Sequence, residues 1–334
     1  MKVLITGASG FIGGFLVEEA LRRGYDVWAG IRAGSSRERL QDARIRFIDL
    51  KYNDPNMLKK QLMQFAAESG RWDFVIHNAG VTKTTRPGDF SRINAGYTAA
   101  LVEALADNCK PEKFLLMSSL GAYGPGDEHS LAPLTSESPQ RPDSLYGKSK
   151  LEAEKILAQQ SAFPYVIIHP TGVYGPWDQD YFAEINSINL GFDFAAGMSD
   201  QHISFIYVKD LARAVFMALE SDAASGKRYF VSDGQQYTDA QFASIIKDIL
   251  GKKRLLRIRV PLPLLHLACV GSELVGKLQG KAMTLNSDKF HILKARNWLC
   301  DASPLFRDLN FRPEYSLRQG LEEAIQWYRA KGWL

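Results

Sequence analysis

The chain begins with the stretch Met1-Lys2-Val3-Leu4-Ile5-Thr6-Gly7-Ala8-Ser9-Gly10-Phe11-Ile12-Gly13, a short apolar run followed by regularly spaced glycines. The run predicts a buried β-strand, the glycines predict a tight turn, and the amphipathic segment Phe15 to Arg23 predicts a helix. A strand, a glycine turn and a helix in this order are typical of a dinucleotide site, where the pyrophosphate accepts from N–H groups at the helix N-terminus. The residues expected to contact the cofactor here are Gly7, Ser9, Gly10, Phe11, Ile12 and Gly13.

The three glycines have distinct predicted roles. Gly7 permits the tight turn, Gly10 lets the backbone approach the pyrophosphate, and Gly13 lets the helix and the strand pack closely. A glycine-rich loop that binds no ligand is the alternative interpretation. The motifs further along the chain favour the dinucleotide.

Length and composition limit the class of protein. The 334 residues suit two modest lobes, and a net charge of +4, from 41 basic and 37 acidic residues, does not indicate nucleic-acid binding. Three widely spaced cysteines predict neither a disulfide nor a metal site. Glycines interrupt the apolar N-terminal run, which argues against a secretory signal, and no apolar stretch is long enough for a membrane span. We expect a soluble, cytoplasmic protein.

The second predicted strand, Asp26 to Ile31, ends at Arg32. In this type of fold the residue at that position faces the adenosine ribose, where a carboxylate suits the 2′-hydroxyl of NAD and an arginine suits the 2′-phosphate of NADP. Ser35, Ser36 and Arg37 follow as candidate further donors. NADP(H) is therefore the preferred cofactor and NAD(H) the alternative, while a solvated arginine at a strand end is the other interpretation.

Two further strands end in residues that suit a dinucleotide. Asp49 is placed to accept from the adenine amino group, and Leu50 is placed to pack on its ring. At the end of the strand that begins at Phe74, small side chains let the backbone of a cofactor lie close. The expected contacts at this strand end are Asn78, Ala79 and Gly80.

Tyr146 and Lys150 stand four residues apart and share one face of a predicted helix. A phenol has a pKa near ~10, and a neighbouring ammonium group lowers it. Ser119, at the end of a buried strand, would hold the oxygen of the substrate while Tyr146 transfers a proton and a nicotinamide transfers hydride. Tyrosine and lysine at this spacing are a weak signal alone, but the glycine turn and Ser119 make chance a poor explanation.

Four stretches of the chain resemble the extended short-chain dehydrogenase/reductase family. They are Thr6 to Gly13, Ser118 to Gly124, Tyr146 to Lys150 and His169 to Pro176. The resemblance implies an α/β fold, with a Rossmann-like doubly wound parallel sheet and a smaller, interleaved C-terminal α/β substrate lobe.

The same resemblance implies site residues. Ser119, Tyr146 and Lys150 are expected to be catalytic, with Asn94 as a supporting residue near Lys150. Many family members have an arginine at the position of His169, and this histidine receives no role. The expected contacts around the nicotinamide are Ser118, Tyr146, Lys150, Pro170, Thr171, Gly172 and Val173.

The resemblance also sets the expected organisation of the chain. Residues 1–173 form mainly the dinucleotide-binding lobe, and 204–220 return to it, with Asp210 as the N-cap of a helix. Residues 174–203 and 221–334 form mainly the substrate lobe and the closing helices. Two helices, Ser91 to Asn108 and Tyr146 to Gln160, are expected to pack against their copies in a homodimer.

Two stretches of the substrate lobe leave alternatives open. Six lysines and arginines between Lys247 and Arg259 are interpreted as a solvated edge strand, with an anion site as the alternative. The apolar stretch Val260 to Gly271 either roofs a hydrophobic substrate pocket or belongs to the core.

The expected activity is oxidation or reduction of a small organic alcohol, aldehyde or ketone, as in the dihydroflavonol-reductase and 3β-hydroxysteroid-dehydrogenase branches. Leu120-Gly121 replaces the Asp-Glu pair of sugar-nucleotide dehydratases, and His202-Ile203-Ser204 replaces the arginine with which sugar-nucleotide epimerases commonly hold a diphosphate. A nucleotide-sugar epimerase and a non-catalytic NADP-binding sensor remain the alternatives.

Overall fold

The computed structural model describes all 334 residues apart from the side chain of Asn108. Seven short apolar runs form one sheet, and all six of its strand pairs are parallel. From edge to edge it contains β3 (Arg46–Ile48), β2 (Asp26–Gly30), β1 (Lys2–Thr6), β4 (Phe74–His77), β5 (Lys113–Met117), β6 (Tyr165–Pro170) and β11 (Arg228–Val231). This strand order is that of a doubly wound Rossmann-like sheet, which confirms the predicted fold.

Helices cover both faces of the large sheet, so its strands are continuous apolar runs instead of alternating patterns. One face packs on α1 (Phe11–Arg22) and α6 (Val208–Glu220). The other face packs on α2 (Pro55–Ser69), α3 (Tyr97–Asn108) and α4 (Leu145–Gln160). Asp54 caps the N-terminus of α2, because its carboxylate accepts the N–H of Met57.

The predicted helix Ser91 to Asn108 has two parts in the structure. Residues Phe90–Gly96 form a π-helix, and α3 follows without interruption. Asn94 lies in the π-helical part and is buried. A π-helical turn is wider than an α-helical one and is frequent at functional sites, which a periodicity of 3.6 residues does not reveal.

The remaining strands form three small sheets. β7 (Gly172–Tyr174) pairs with β10 (Phe205–Tyr207), and β8 (Phe192–Ala196) pairs with β13 (Leu256–Val260). β9 (His202–Ile203) lies between β12 (Tyr237–Thr238) and β14 (Asn297–Trp298). The helices of this part are α5 (Asp180–Asn189), α7 (Asp239–Ile249), α8 (Leu262–Gln279), α9 (Ser287–Lys294), α10 (Ser303–Leu309) and α11 (Leu317–Ala330).

The chain returns to the large sheet at residues 228–231, because β11 pairs with β6, and these residues lie inside the range that is assigned mainly, but not wholly, to the substrate lobe. The predicted role of Asp210 is wrong. Asp210 is not an N-cap, because α6 begins at Val208 and Asp210 lies in its first turn. Its buried carboxylate instead accepts the N–H groups of Glu314 and Tyr315 and an N–H of Arg213. The rest of the division into two lobes stays a prediction.

The apolar stretch Val260 to Gly271 is neither core nor a roof over a pocket. It forms the end of β13 and the first half of α8, and the Leu264 and Leu267 side chains are 59% and 69% exposed. All of residues 260–271 are described, and none of them lines the cavity presented below. Among the helices that the structure describes, none combines the length and the apolar content that a membrane crossing needs.

Gly7 and Gly13 bring α1 against the end of β1. Gly7 has φ of +66°, in the left-handed region that favours glycine. A Cβ atom on Gly13 would lie 2.1 Å from the carbonyl oxygen of Gly7 and 2.8 Å from Cα of Ala8. The two residues therefore make the turn and the close packing that the sequence predicts.

Gly13→Ala is expected to destabilise the protein by roughly 1–3 kcal/mol, because the added methyl group meets backbone that has to shift. Gly271→Ala is the matched control, since this glycine also lies inside a helix but has no atom within 4 Å of an added Cβ. There we expect stabilisation by up to about 1 kcal/mol. Urea unfolding of both variants measures the difference, and equal small effects would contradict the close packing at Gly13.

Candidate active site

A cavity of about 1430 Å³ lies at the carboxyl ends of the parallel strands. Gly7 follows β1, Arg32 follows β2, Asn78 follows β4, and Ser118 follows β5, and all four line the cavity. This is the place at which open parallel sheets bind ligands, because the loops that leave the strands diverge there.

All the predicted cofactor contacts except Gly13 line this cavity. Gly13 instead packs against the backbone of the glycine turn. That the predicted contacts bind a cofactor stays a prediction. The predicted contacts that line the cavity are Gly7, Ser9, Gly10, Phe11, Ile12, Arg32, Asp49, Leu50, Asn78, Ala79, Gly80, Ser118, Tyr146, Lys150, Pro170, Thr171, Gly172 and Val173.

Thr6 joins the ends of β1 and β4 below the cavity, a role that the sequence analysis missed. Its hydroxyl oxygen accepts the N–H groups of Asn78 and Ala79 at 3.1 and 3.0 Å and lies 2.9 Å from Nδ1 of His77. Burial lowers the pKa of His77 to about 3, and the charge of Lys150 acts in the same direction. His77 is therefore a neutral, packed strand residue.

The three predicted catalytic side chains all line the cavity. Gly121 lies between two of them, because a Cβ on it would be 3.3 Å from Oγ of Ser119 and 3.6 Å from the Tyr146 ring. Nζ of Lys150 lies 6.0 Å from the centre of the Tyr146 ring and donates to the carbonyl oxygen of Met117 at 2.8 Å. Tyr146 and Lys150 come from α4, and Ser119 comes from the end of β5.

The electrostatics of this group differ from the prediction that Lys150 lowers the pKa of Tyr146. Burial raises the pKa of the Tyr146 phenol, and only hydrogen bonding to Ser119 opposes this shift. Burial also lowers the pKa of Lys150 to about 8, although the Glu154 carboxylate raises it in part. Both shifts favour the neutral form of the group, because burial disfavours a charge. The phenol is consequently a proton donor at neutral pH.

Asn94 connects the end of β4 to α4. Its side-chain oxygen accepts the N–H of Val81 at 2.8 Å, and its amide group donates to the carbonyl of Val81 and to Oγ of Ser149. A Cβ on Gly80 would lie 2.8 Å from the Asn94 oxygen and 3.3 Å from Nζ of Lys150. Asn94 therefore lies beside Lys150, as predicted, and holds the backbone that surrounds it.

A buried carboxylate, Glu154, lies one turn beyond Lys150 on α4. It accepts from the hydroxyl of Ser118 and from Nε2 of His169 and the amide of Gln140, the last two at 2.9 Å. Burial raises the pKa of Glu154, but these three partners together lower it below its ordinary value, so the group is ionised. Sequence analysis missed this residue, although it extends the four-residue spacing of Tyr146 and Lys150.

The region of the predicted adenosine site contains Arg32 as an exposed side chain. Arg32 and Ser35 line the cavity, whereas Ser36 and Arg37, the other candidate donors, do not. The guanidinium of Arg37 lies 4.2 Å from the centre of the Phe47 ring instead. Of the four predicted donors, Arg32 and Ser35 therefore line the cavity, and their contact with a 2′-phosphate stays a prediction.

Arg39 also lines the cavity and was not predicted. Its Nη1 donates to the carbonyl oxygen of Phe11 at 2.6 Å, and its guanidinium lies 4.4 Å from the centre of the Phe15 ring. Its Nε is buried without a hydrogen-bond partner among the described residues. The guanidinium is already paired, since its Nη2 lies 3.1 Å from the Glu18 carboxylate, and its Nε lies against α1, where a Cβ on Gly14 would approach it to 2.6 Å. Arg39 therefore attaches this loop to α1.

Residues 3–232, more than half of the chain, match the family described as the NAD dependent epimerase/dehydratase family. The chain belongs to this family. It is an extended short-chain dehydrogenase/reductase, as the sequence motifs predict.

Relatives with different activities resemble this family member over almost its whole length. A 3-beta-hydroxysteroid dehydrogenase of Mycolicibacterium neoaurum is 26% identical, with 98% of this chain and 91% of that protein covered. A UDP-glucose 4-epimerase of Vibrio cholerae is 25% identical, with 97% and 94% covered. The structure of a UDP-glucuronic acid 4-epimerase from Bacillus cereus with UDP-glucuronic acid and NAD superimposes with a TM-score of 0.76, at 22% identity and 99% and 100% coverage.

The far side of the cavity in this family member has a substrate wall, which we define as Asp178, Tyr181, Glu184 and Lys289. Burial raises the pKa of Asp178 to about 7 and that of Glu184 to about 8. Lys289 lies 3.7 Å from the carboxylate of Asp180. Sequence analysis assigned no role to this wall, since it carries no motif.

The basic run from Lys247 to Arg259 contains an edge strand that is only partly solvated. Arg257 lies 2.5 Å from Asp193 and 2.7 Å from Asp239, and Arg259 lies 2.5 Å from Asp200. These carboxylates neutralise both arginines, which speaks against an anion site at their guanidinium groups. The predicted edge strand is present as β13.

Lys150→Met tests the cost of burying an ammonium group. The folded-state pKa of Lys150 is about 8 against an ordinary value of 10.5, so the folded protein binds this proton less tightly than the unfolded chain. The penalty is complete below pH 8 and disappears as the pH rises towards 10.5. We therefore expect the substitution to raise the free energy of unfolding at pH 7 by roughly 1–3 kcal/mol. The stability that the unaltered protein gains between pH 8 and 10.5, as its penalty disappears, should be absent in the variant.

Urea unfolding of the cofactor-free protein at a series of pH values measures this effect. Lys148→Met is the matched control, because Lys148 is exposed on the same helix. It should leave the pH dependence unchanged. A Lys150→Met variant that is less stable at pH 7 would show that the bond to Met117 outweighs the desolvation.

Proposed function

We propose that this protein is an NAD(P)-dependent oxidoreductase that interconverts an organic ketone or aldehyde and the corresponding alcohol. The observation that carries the proposal is the convergence of Ser119, Tyr146 and Lys150 between the glycine turn and the substrate wall. These groups suit the activation of one substrate oxygen, and the family is one of NAD-dependent enzymes.

In the proposed reaction the residues of the chain handle the oxygen and its proton. The Ser119 hydroxyl donates to the substrate oxygen, and the Tyr146 phenol donates its proton to that oxygen in reduction and recovers it in oxidation. The Lys150 ammonium, held by Met117, stabilises the phenolate that remains after proton donation. When bound, the nicotinamide cofactor supplies or accepts the hydride.

The substrate wall supports an alcohol or ketone over a nucleotide sugar. A diphosphate needs cations or several N–H donors, whereas the lining residues Asp178 and Glu184 carry carboxyl groups, of which that of Asp178 accepts the N–H groups of Asp180 and Tyr181. Lys289, the cation of this wall, is already beside Asp180. The two arginines of β13 are neutralised by carboxylates. The substrate class is thus uncharged or cationic.

The second candidate is a nucleotide-sugar epimerase, favoured by the identity of 25% to the Vibrio cholerae UDP-glucose 4-epimerase over 97% of this chain. An oxidoreductase changes the absorbance of NADPH at 340 nm with a panel of aliphatic, aromatic and steroid ketones. An epimerase equilibrates UDP-glucose and UDP-galactose without net consumption of cofactor. Epimerisation without any ketone reduction would overturn the proposal.

NADP(H) is proposed as the preferred cofactor because Arg32 lines the cavity at the end of β2. Arg32→Asp should lower the ratio of NADP⁺ affinity to NAD⁺ affinity by about tenfold or more, which narrows or reverses the preference. The substitution replaces an attractive charge beside a 2′-phosphate by a repulsive one. Calorimetric titration with NADP⁺ and NAD⁺ measures the ratio. Arg37→Asp is the matched control, because Arg37 lies in the same loop outside the cavity lining. Equal affinities of the unaltered protein for both cofactors would refute the preference.

Tyr146→Phe removes the phenol and keeps the ring. We expect turnover of a genuine substrate to fall by roughly 10²–10⁴-fold, with cofactor affinity little changed, because the phenol acts on the substrate oxygen. Ser119→Ala should cost less, since serine orients the oxygen without transferring the proton, and Lys150→Met should cost more. Stopped-flow or steady-state rates of NADPH oxidation provide the measurement.

Tyr123→Phe is the matched control for the loss of a phenol. Tyr123 is buried against His169 and Phe230 and lies outside the cavity lining. Its removal should leave turnover within about twofold of the unaltered enzyme, on the scale of an ordinary distant substitution. Full activity of Tyr146→Phe would show that another group transfers the proton.

The remaining proposals concern assembly and location. We propose a homodimer in which the segment Ser91 to Asn108 and the helix from Tyr146 to Gln160 pack against their copies. A cytoplasmic location stays a prediction from the cysteine content.

A further inference from the structure

Large apolar side chains are exposed mainly on one part of this protein. Of sixteen such side chains that are exposed in the described structure, twelve lie between Leu190 and Leu278. Single exposed leucines are normal, but a contiguous apolar area marks an interaction surface. Two elements, the ribbon of β8 and β13 and the helix α8, carry this area.

The ribbon of β8 and β13 turns its charged side inwards. Phe192 and Phe194 are 43% and 60% exposed, whereas Asp193 between them is buried and lies 2.5 Å from Arg257. Leu256 of β13, 58% exposed, is the partner of Phe192 in the pair. Because side chains of a strand alternate between its faces, the whole outer face of the ribbon is apolar.

The helix α8 also exposes its large apolar side chains. Leu264, Leu267, Leu274 and Leu278 follow a spacing of three, seven and four residues, which places them on one side of the helix, and they are 59% to 82% exposed. The opposite side contains the buried Cys269 and Gly276, where a Cβ on Gly276 would lie 2.6 Å from the carbonyl of Lys281. The helix is therefore attached by its small residues and presents its leucines to the outside.

The two elements adjoin. Only Pro261 separates β13 from α8, and a Cβ on Gly197, next to the end of β8, would lie 3.5 Å from Cδ2 of Leu262. We call the outer side chains of the ribbon and of α8 the apolar face: Phe192, Phe194, Leu256, Leu264, Leu267, Leu274 and Leu278. The segment after α8 leads directly into Thr284 and Leu285, which line the cavity.

A group of cations borders the apolar face. Lys252, Lys253 and Arg254 precede β13 in the turn beside Leu256, and among the described side chains none of the three has an ion-pair partner. The carboxylates nearby are engaged, since Asp193 and Asp200 bind Arg257 and Arg259, and Glu273 binds Lys277.

We propose that the apolar face docks on the surface of an anionic lipid bilayer. The leucines of α8 and the two phenylalanines enter the boundary between headgroups and acyl chains, while Lys252, Lys253 and Arg254 contact lipid phosphates. A helix that lies in the plane of the interface needs an apolar side and neighbouring cations, and it does not need the length of a span. A second copy of the chain would bring apolar side chains to this face but would bring the same cations, whereas an anionic bilayer complements both. The inference does not depend on the proposed reaction.

Flotation of the full chain with vesicles tests the inference. Binding is expected to vesicles of phosphatidylcholine with 30% phosphatidylglycerol, with weaker binding to phosphatidylcholine alone and at high salt. The double substitution Leu267→Glu and Leu274→Glu should reduce the bound fraction by about tenfold or more. The double substitution Lys253→Glu and Arg254→Glu should remove the preference for anionic vesicles and the salt dependence.

Met63→Glu is the matched control, because Met63 is 46% exposed on α2, far along the chain from this face. It should leave flotation unchanged, and circular dichroism with thermal unfolding shows that every variant is folded. Failure of the unaltered protein to float with either vesicle would overturn the inference, as would an equal loss with Met63→Glu. So would light scattering in which Leu267→Glu converts a dimer to a monomer while no vesicle binding is seen, since the occupant would then be a second copy.

Discussion

The burial of the Lys150 ammonium group is the constraint on which the centre of this structure depends. A cation without water needs an oxygen, and the carbonyl of Met117 supplies one because β5 ends there. Gly80 leaves room for this arrangement, since a Cβ there would approach the Asn94 side-chain oxygen to 2.8 Å and Nζ of Lys150 to 3.3 Å. Glu154, one turn along α4, offsets part of the loss of hydration. The lowered pKa of Lys150 shows that these partners do not offset it fully, so the buried charge costs the folded protein stability.

Local patterns in the sequence predicted the parts of the site that local geometry determines. The glycine turn, the small residues at strand ends, and the shared face of Tyr146 and Lys150 all depend on spacing within a few residues. The contacts that were missed join distant parts of the chain. Thr6 and His77 are 71 positions apart, and Glu154 and His169 come from a helix and the following strand. No period within either segment reports such a pair, because each side chain alone is an ordinary core position.

Errors in the sequence analysis have the same physical origin. A charge near a phenol lowers its pKa in water, but in the folded protein burial raises the pKa of Tyr146 and lowers that of Lys150, and it is Ser119 that opposes the shift of Tyr146. Likewise, the stripe of leucines in α8 is visible in the sequence, but periodicity does not say which side of a helix its neighbours cover. Here Cys269 and Gly276 allow closer packing than leucine, so the small side is buried and the leucines remain outside.

The two halves of the cavity are built from different parts of the fold. The half near the glycine turn is built from backbone groups and small residues at the ends of β1, β4, β5 and β6, and the fold itself places them there. Membership of the family accordingly accounts for a nicotinamide cofactor. The other half is built from side chains of α5, α9 and β14, which lie outside the large sheet. Relatives of similar identity can thus be a steroid dehydrogenase and a sugar-nucleotide epimerase. For this chain the substrate has to be inferred from the carboxyl groups of Asp178 and Glu184, because the shared half of the cavity is compatible with both activities.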